Sequence, residues 1–148
     1  MRRIPRGFTL LELIVVLVII GICTAGIGLG LGSLLDPARQ LRQEGERLAQ
    51  RLQVARDEAR IDGRPLRWQA DAAGYRFSRL EGSRWVTVER DDLLRPQKWQ
   101  AAGIAVQPTN AIELSPEWIG TAWELGLSLD GRALRLRDDG SGQLQVVQ

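Results

Sequence analysis

The chain has 148 residues, 44% of them hydrophobic and 26% charged, which suits one folded domain plus an anchor and leaves no room for a second globular domain. It has no histidine and one cysteine, Cys23, so the commonest general base and imidazole ligand are missing and an intramolecular disulfide is impossible. The formal net charge is +2, but removing Arg2, Arg3 and Arg6 from the 20 basic residues leaves 17 against 18 acidic ones, so bulk charge gives no case for a nucleic-acid partner.

The first predicted element is apolar. After Arg2, Arg3 and Arg6 the hydrophobic residues run to Leu35, interrupted only by small or weakly polar side chains and by one carboxylate, Glu12. An ionisable group at bilayer depth costs several kcal/mol unless it is partnered, so Glu12 calls for a neutralising charge or a place at headgroup level. A secretory signal would end its apolar core after roughly 7 to 15 residues, and this run continues past twenty. A lipoprotein signal needs a small residue before its cysteine, and Cys23 follows Ile22. A signal anchor fits, with the arginines holding the N-terminus in the cytoplasm. As one helix, residues 8–35 would measure about 42 Å against a hydrocarbon core of about 30 Å, so part must tilt, project or unwind. In Gly28-Leu29-Gly30-Leu31-Gly32 the glycines alternate at every second position, which spreads them around a helix instead of confining them to one packing face and favours local bending or unwinding over close packing.

Asp36-Pro37 reads as a helix restart, with Asp36 as N-cap and Pro37 in the first turn. Leu41, Leu48, Leu52, Ala55 and Ala59 share one helix face and should be buried. The charges between them, among them Glu44, Arg47, Arg51, Arg56, Glu58 and Arg60, are expected to form a solvated face. Asp62-Gly63 ends the helix. The period then changes to that of strands: Leu66 to Trp68 and Tyr75 to Phe77 flank a turn at Asp71 to Gly74, and Trp85 to Val88 extends the hairpin. Asp130-Gly131 is a two-residue hairpin signal that pairs Leu127 with Leu134 and Leu125 with Leu136. A further turn at Asp138 to Gly142 leads into Leu144 and Val146 on the same face. The five tryptophans are too dispersed to form one binding surface; Trp118 and Trp123, in an irregular segment, are the candidates for an exposed protein contact.

Gly7-Phe8-Thr9-Leu10-Leu11-Glu12 after a basic leader resembles the class III signal of type IV pilins and type II secretion pseudopilins. The resemblance implies cleavage by a prepilin peptidase between Gly7 and Phe8, N-methylation of Phe8, and retention of the hydrophobic helix. It also implies a filament-assembly role for Glu12, whose carboxylate faces the N-terminal amine of a neighbouring subunit. Ala55-Arg56-Asp57-Glu58-Ala59, Gly63-Arg64-Pro65-Leu66, and Leu114-Ser115-Pro116-Glu117 ahead of Trp123-Glu124-Leu125 resemble the minor pseudopilins of the H type and related minor pilins.

The implied fold class is α+β and type IV pilin-like, a long N-terminal helix packed on a C-terminal antiparallel sheet domain. Its parts are a leader at 1–7, a filament-core helix at 8–35, an amphipathic helix at 36–63 and a β-rich periplasmic domain at 64–148. The implied setting is the bacterial inner membrane, with the major pseudopilin, other minor pseudopilins and secreted substrate proteins as partners. A minor type IV pilin acting in pilus assembly or DNA uptake is the alternative, with Arg132, Arg135 and Arg137 as phosphate contacts. No nucleophile-base pair, metal cluster or phosphate loop is visible, so no catalytic residue, metal ligand or cofactor is expected. Asp138-Asp139 reads as a turn rather than as calcium ligands.

Overall fold

The computed structural model describes residues 10–21 and 36–147. The chain divides into two compact units, residues 1–36 and 37–148. In the first, residues 10–21 form a helix, α1, that is apolar around its whole circumference apart from Glu12. Among the described residues no helix is long and apolar enough to cross a membrane. Gly7, Phe8, Cys23 and the glycines from Gly26 to Gly32 lie outside the described residues.

The second unit begins with α2, Pro37–Asp62. Proline is tolerated in the first turn because its missing N–H would have no intrahelical partner there, and Gly63, at φ 63°, takes the left-handed conformation that stops the helix. Leu41, Leu48, Leu52, Ala55 and Ala59 form its buried stripe.

Two antiparallel sheets take up this stripe. The first contains β1 (Leu66–Ala70), β2 (Gly74–Glu81), β3 (Arg84–Thr87), β4 (Gln97–Lys98) and β6 (Ile112–Leu114), in the order β3-β2-β1-β6 with β4 also pairing β2. The second contains β5 (Ala105–Gln107), β7 (Trp123–Leu129), β8 (Arg132–Asp138) and β9 (Leu144–Val147), in the order β5-β7-β8-β9. Leu125 lies opposite Leu136 and Leu127 opposite Leu134, all four buried, and Asp130 at φ 47° with Gly131 at φ 77° forms the turn between them. Trp68, Phe77 and Tyr75 from the first sheet join the same core, Tyr75 packing at 4.9 Å from Trp99. Gly74 is required where β2 meets β4, since a Cβ there would collide with the carbonyl oxygen of Gln97.

The charged face of α2 departs from the expected solvated surface at two positions. Glu44 and Arg56 are buried, because each satisfies groups that the core would otherwise strand. Glu44 Oε1 accepts the amides of Gln100 at 2.7 Å and Ala101 at 3.3 Å, fixing the loop after β4 to the helix. Arg56 pairs with Asp138 at the end of β8. Near the helix end, Arg79 on β2 pairs with Glu58 and lies 3.3 Å from Asp62.

Candidate functional site

The helix residues 10–21 expose an apolar surface from Leu10 to Ile20 that is interrupted by the exposed Glu12. An apolar surface of this extent needs lipid or protein to cover it.

A separate exposed apolar feature lies in the second unit, near the C-terminal end of α2. Trp118 is 81% exposed, Ile119 85% and Ile61 83%. The loop carrying the first two is held at several points. The Arg60 guanidinium lies 4.9 Å from the centre of the Trp118 ring, and its Nη2 donates to the Trp118 carbonyl oxygen at 3.4 Å. The amide of Gly120 donates to the Gly140 oxygen at 3.0 Å. Gly140, at φ 90°, allows that approach, since a Cβ would run into the Gly120 carbonyl. Beneath this junction the buried Asp138 accepts from Arg56 and from the Gly140 amide, the latter at 2.7 Å. Asp139 accepts the Ser141 amide at 2.8 Å, and hydrogen bonds from the Ser141 side chain and backbone hold its carboxyl below the usual range. The acidic pair thus shapes the turn, and Asp138 adds an ion pair that local sequence could not reveal, because Arg56 lies 82 residues away.

Trp123 is half-buried and packs against the core, which leaves Trp118 as the exposed member of the two. Trp68 and Trp99 are buried, and Trp85 has the Arg67 guanidinium at 3.9 Å from its ring centre. Arg135, on the outer face of the second sheet, lies 3.6 Å from Glu124. That carboxylate offsets the charge a phosphate contact would use. Gly7 and Phe8 lie outside the described residues.

An N-terminal signal helix followed in the chain by one helix packed on two antiparallel sheets defines a pilin-like subunit, and residues 2–28 match the family described as Prokaryotic N-terminal methylation motif. The chain belongs to the family described as Type II transport protein GspH, which matches residues 44–145. It is similar to Type II secretion system protein H of Pseudomonas aeruginosa, 37% identical over 97 residues that cover 64% of this chain and 56% of that relative. Its fold is similar to that of the minor pseudopilin EpsH from the Type 2 Secretion System of Vibrio cholerae, with a TM-score of 0.60 and 16% identity over 73% of this chain and 96% of the other.

Proposed function

We propose that this chain is a minor pseudopilin of a type II secretion system, a structural subunit at or near the tip of a periplasmic filament whose growth drives folded proteins across the outer membrane. The observation that carries this reading is the joint match of one chain to the methylation motif over residues 2–28 and to the GspH family over residues 44–145. The resemblance of Gly7-Phe8 to a prepilin cleavage site supports processing by a prepilin peptidase, with methylation of the new amine of Phe8. The apolar run after Phe8 would then anchor the chain in the inner membrane, leave the second unit in the periplasm and enter the filament core on assembly. Glu12 serves there as one half of a charge pair with a neighbouring subunit's N-terminal amine. An unpaired charge in an apolar bundle is costly, so the pair would penalise wrong registers. Trp118 and Ile119 supply an apolar contact for the major pseudopilin, another minor pseudopilin or cargo.

Processing and export test the reading together. Gly7→Val in the full chain is expected to leave the precursor uncut and to abolish export of the system's substrates. Normal mature protein with normal export would overturn the proposal. Glu12→Leu is expected to permit cleavage while blocking incorporation into the filament; unchanged incorporation would remove the charge pairing alone.

A further inference from the structure

Among the described residues five strands lie on the open sides of the two sheets, and four of them carry a feature that discourages further pairing. β3 begins with the charged Arg84, β4 follows Pro96 and ends in Lys98, β5 is followed by Pro108, and β6 carries Glu113 with Pro116 two residues beyond it. Charges and prolines at sheet margins are the usual means of preventing edge-to-edge association.

β9 has neither. From Gly140 to Gln148 the sequence contains no charged residue and no proline. β9 pairs only with β8, in the register Arg135 with Val147 through Asp138 with Leu144. Its other side therefore presents the N–H and C=O groups of alternate residues without a strand partner among the described residues. Leu144 is partly buried against the core, while Val146 and Val147 are 40% and 46% exposed, so the second half of the strand keeps apolar surface that the core does not take up. At 3.3 Å per residue the four residues offer a ladder about 13 Å long.

We propose that the free edge of β9 accepts an extended strand from a neighbouring subunit, extending the β5-β7-β8-β9 sheet across the contact. A row of backbone donors and acceptors at strand spacing is matched by another extended backbone and not by a helix, whose own groups are internally bonded. The side chains set what that strand carries. With Leu144 and Val146 on one face, Gln145 and Val147 on the other, and no charge on β9, the added segment is uncharged and is apolar on the face it shares with Leu144 and Val146. Salt leaves such a contact largely unaffected. The inference depends on the filament reading only for the source of the strand, a different subunit rather than a second copy of this chain.

Photocrosslinking in the full chain, in secreting cells, tests it. A benzoylphenylalanine is placed at Gln145 or at Val147, two residues apart on one strand face, and at Thr87 on the β3 edge as a control. The expected result is an adduct from each β9 position and none from Thr87, with the two attachment points two residues apart in one extended segment of the partner. Val146→Lys is expected to lower both adduct yields roughly tenfold or more, with the unfolding transition unchanged. No adduct from β9, attachment points spaced three or four apart as on a helix, or an adduct to a second copy of this chain would each overturn the proposal. The Gly7→Val experiment reads cleavage and export without reference to β9, so failure of the filament reading is separately visible.

Discussion

The Arg56–Asp138 pair couples the middle of α2 to the end of β8, and both partners are almost fully removed from water. Removing one member of a buried pair leaves the other uncompensated, at a cost of about 3–5 kcal/mol, whereas replacing both with apolar residues of similar volume is often close to neutral. Asp138→Ala is therefore expected to lower the urea unfolding free energy of a fragment beginning at Asp36 by about that amount. The double replacement Arg56→Met with Asp138→Leu should recover most of it, less the hydrogen bond that Asp138 accepts from Gly140. Equal losses in the single and double variants would show that the pair is not the source of the effect. Tyr75 gives a second residue-scale prediction. Burial raises its pKa above 10.0, against the opposing hydrogen bond that Arg51 Nη1 donates to its Oη at 2.5 Å. The folded state thus holds the phenolic proton more tightly than the unfolded chain does. Its contribution to stability is complete below the unfolded pKa and falls as pH rises through the folded one. Tyr75 is the sole tyrosine, so phenolate absorbance reports it alone. A folded-state midpoint above 10.0 is expected, and Tyr75→Phe should remove this part of the alkaline loss of stability.

At the scale of elements, α2 was legible because its buried positions recur with helical period, and the structure buries Leu41, Leu48, Leu52, Ala55 and Ala59. The β7–β8 hairpin was legible for a comparable reason, since Asp130-Gly131 fixes both turn and register. Charges gave a weaker signal. Glu44 and Arg56 fall among the arginines and carboxylates of α2 with nothing local to distinguish them, and only the loop after β4 and the end of β8 explain their burial. Nor did the sequence show that the strands divide between two sheets, because that depends on β6 returning to pair with β1 while β5 crosses to β7. The apolar stripe yields a direct test. Leu48 is wholly buried, and Leu48→Ala should cost about 2–5 kcal/mol in denaturant unfolding of the same fragment. Gly74→Ala should also destabilise, by about 1–3 kcal/mol, because the new Cβ displaces the Gln97 carbonyl and opens the β2–β4 pairing. Hydrogen exchange at Gln97 and Lys98 would locate that opening.

At the scale of the whole molecule, the interior and the exposed contacts obey different rules. Trp118, Ile119 and Ile61 add nothing to the core, yet Arg60, Gly120 and Gly140 hold the loop that carries the first two. Presenting a large apolar side chain on a fixed loop lowers the entropy lost on contact, and tryptophan is a favoured anchor in protein interfaces. Sequence position alone could not choose between Trp118 and Trp123, because the distinction rests on which ring the core accepts. The combined variant Trp118→Ser and Ile119→Ser removes exposed apolar surface and the exposed contact between Arg60 and the Trp118 ring but nothing from the core, so its unfolding free energy should stay within about 0.5 kcal/mol of the unaltered protein. Co-purification of the full chain with its neighbouring filament subunits should fall roughly tenfold or more if the two side chains act as an anchor. Arg60→Gln, which removes one of the loop's attachments while leaving Trp118, Ile119 and the Gly120–Gly140 hydrogen bond in place, should give a smaller loss in the same measurement. Wild-type levels in the double-serine variant would show that the loop is no contact at all. Equal losses in the two variants would place the effect in Arg60 and the fixing of the loop, not in the apolar side chains it displays.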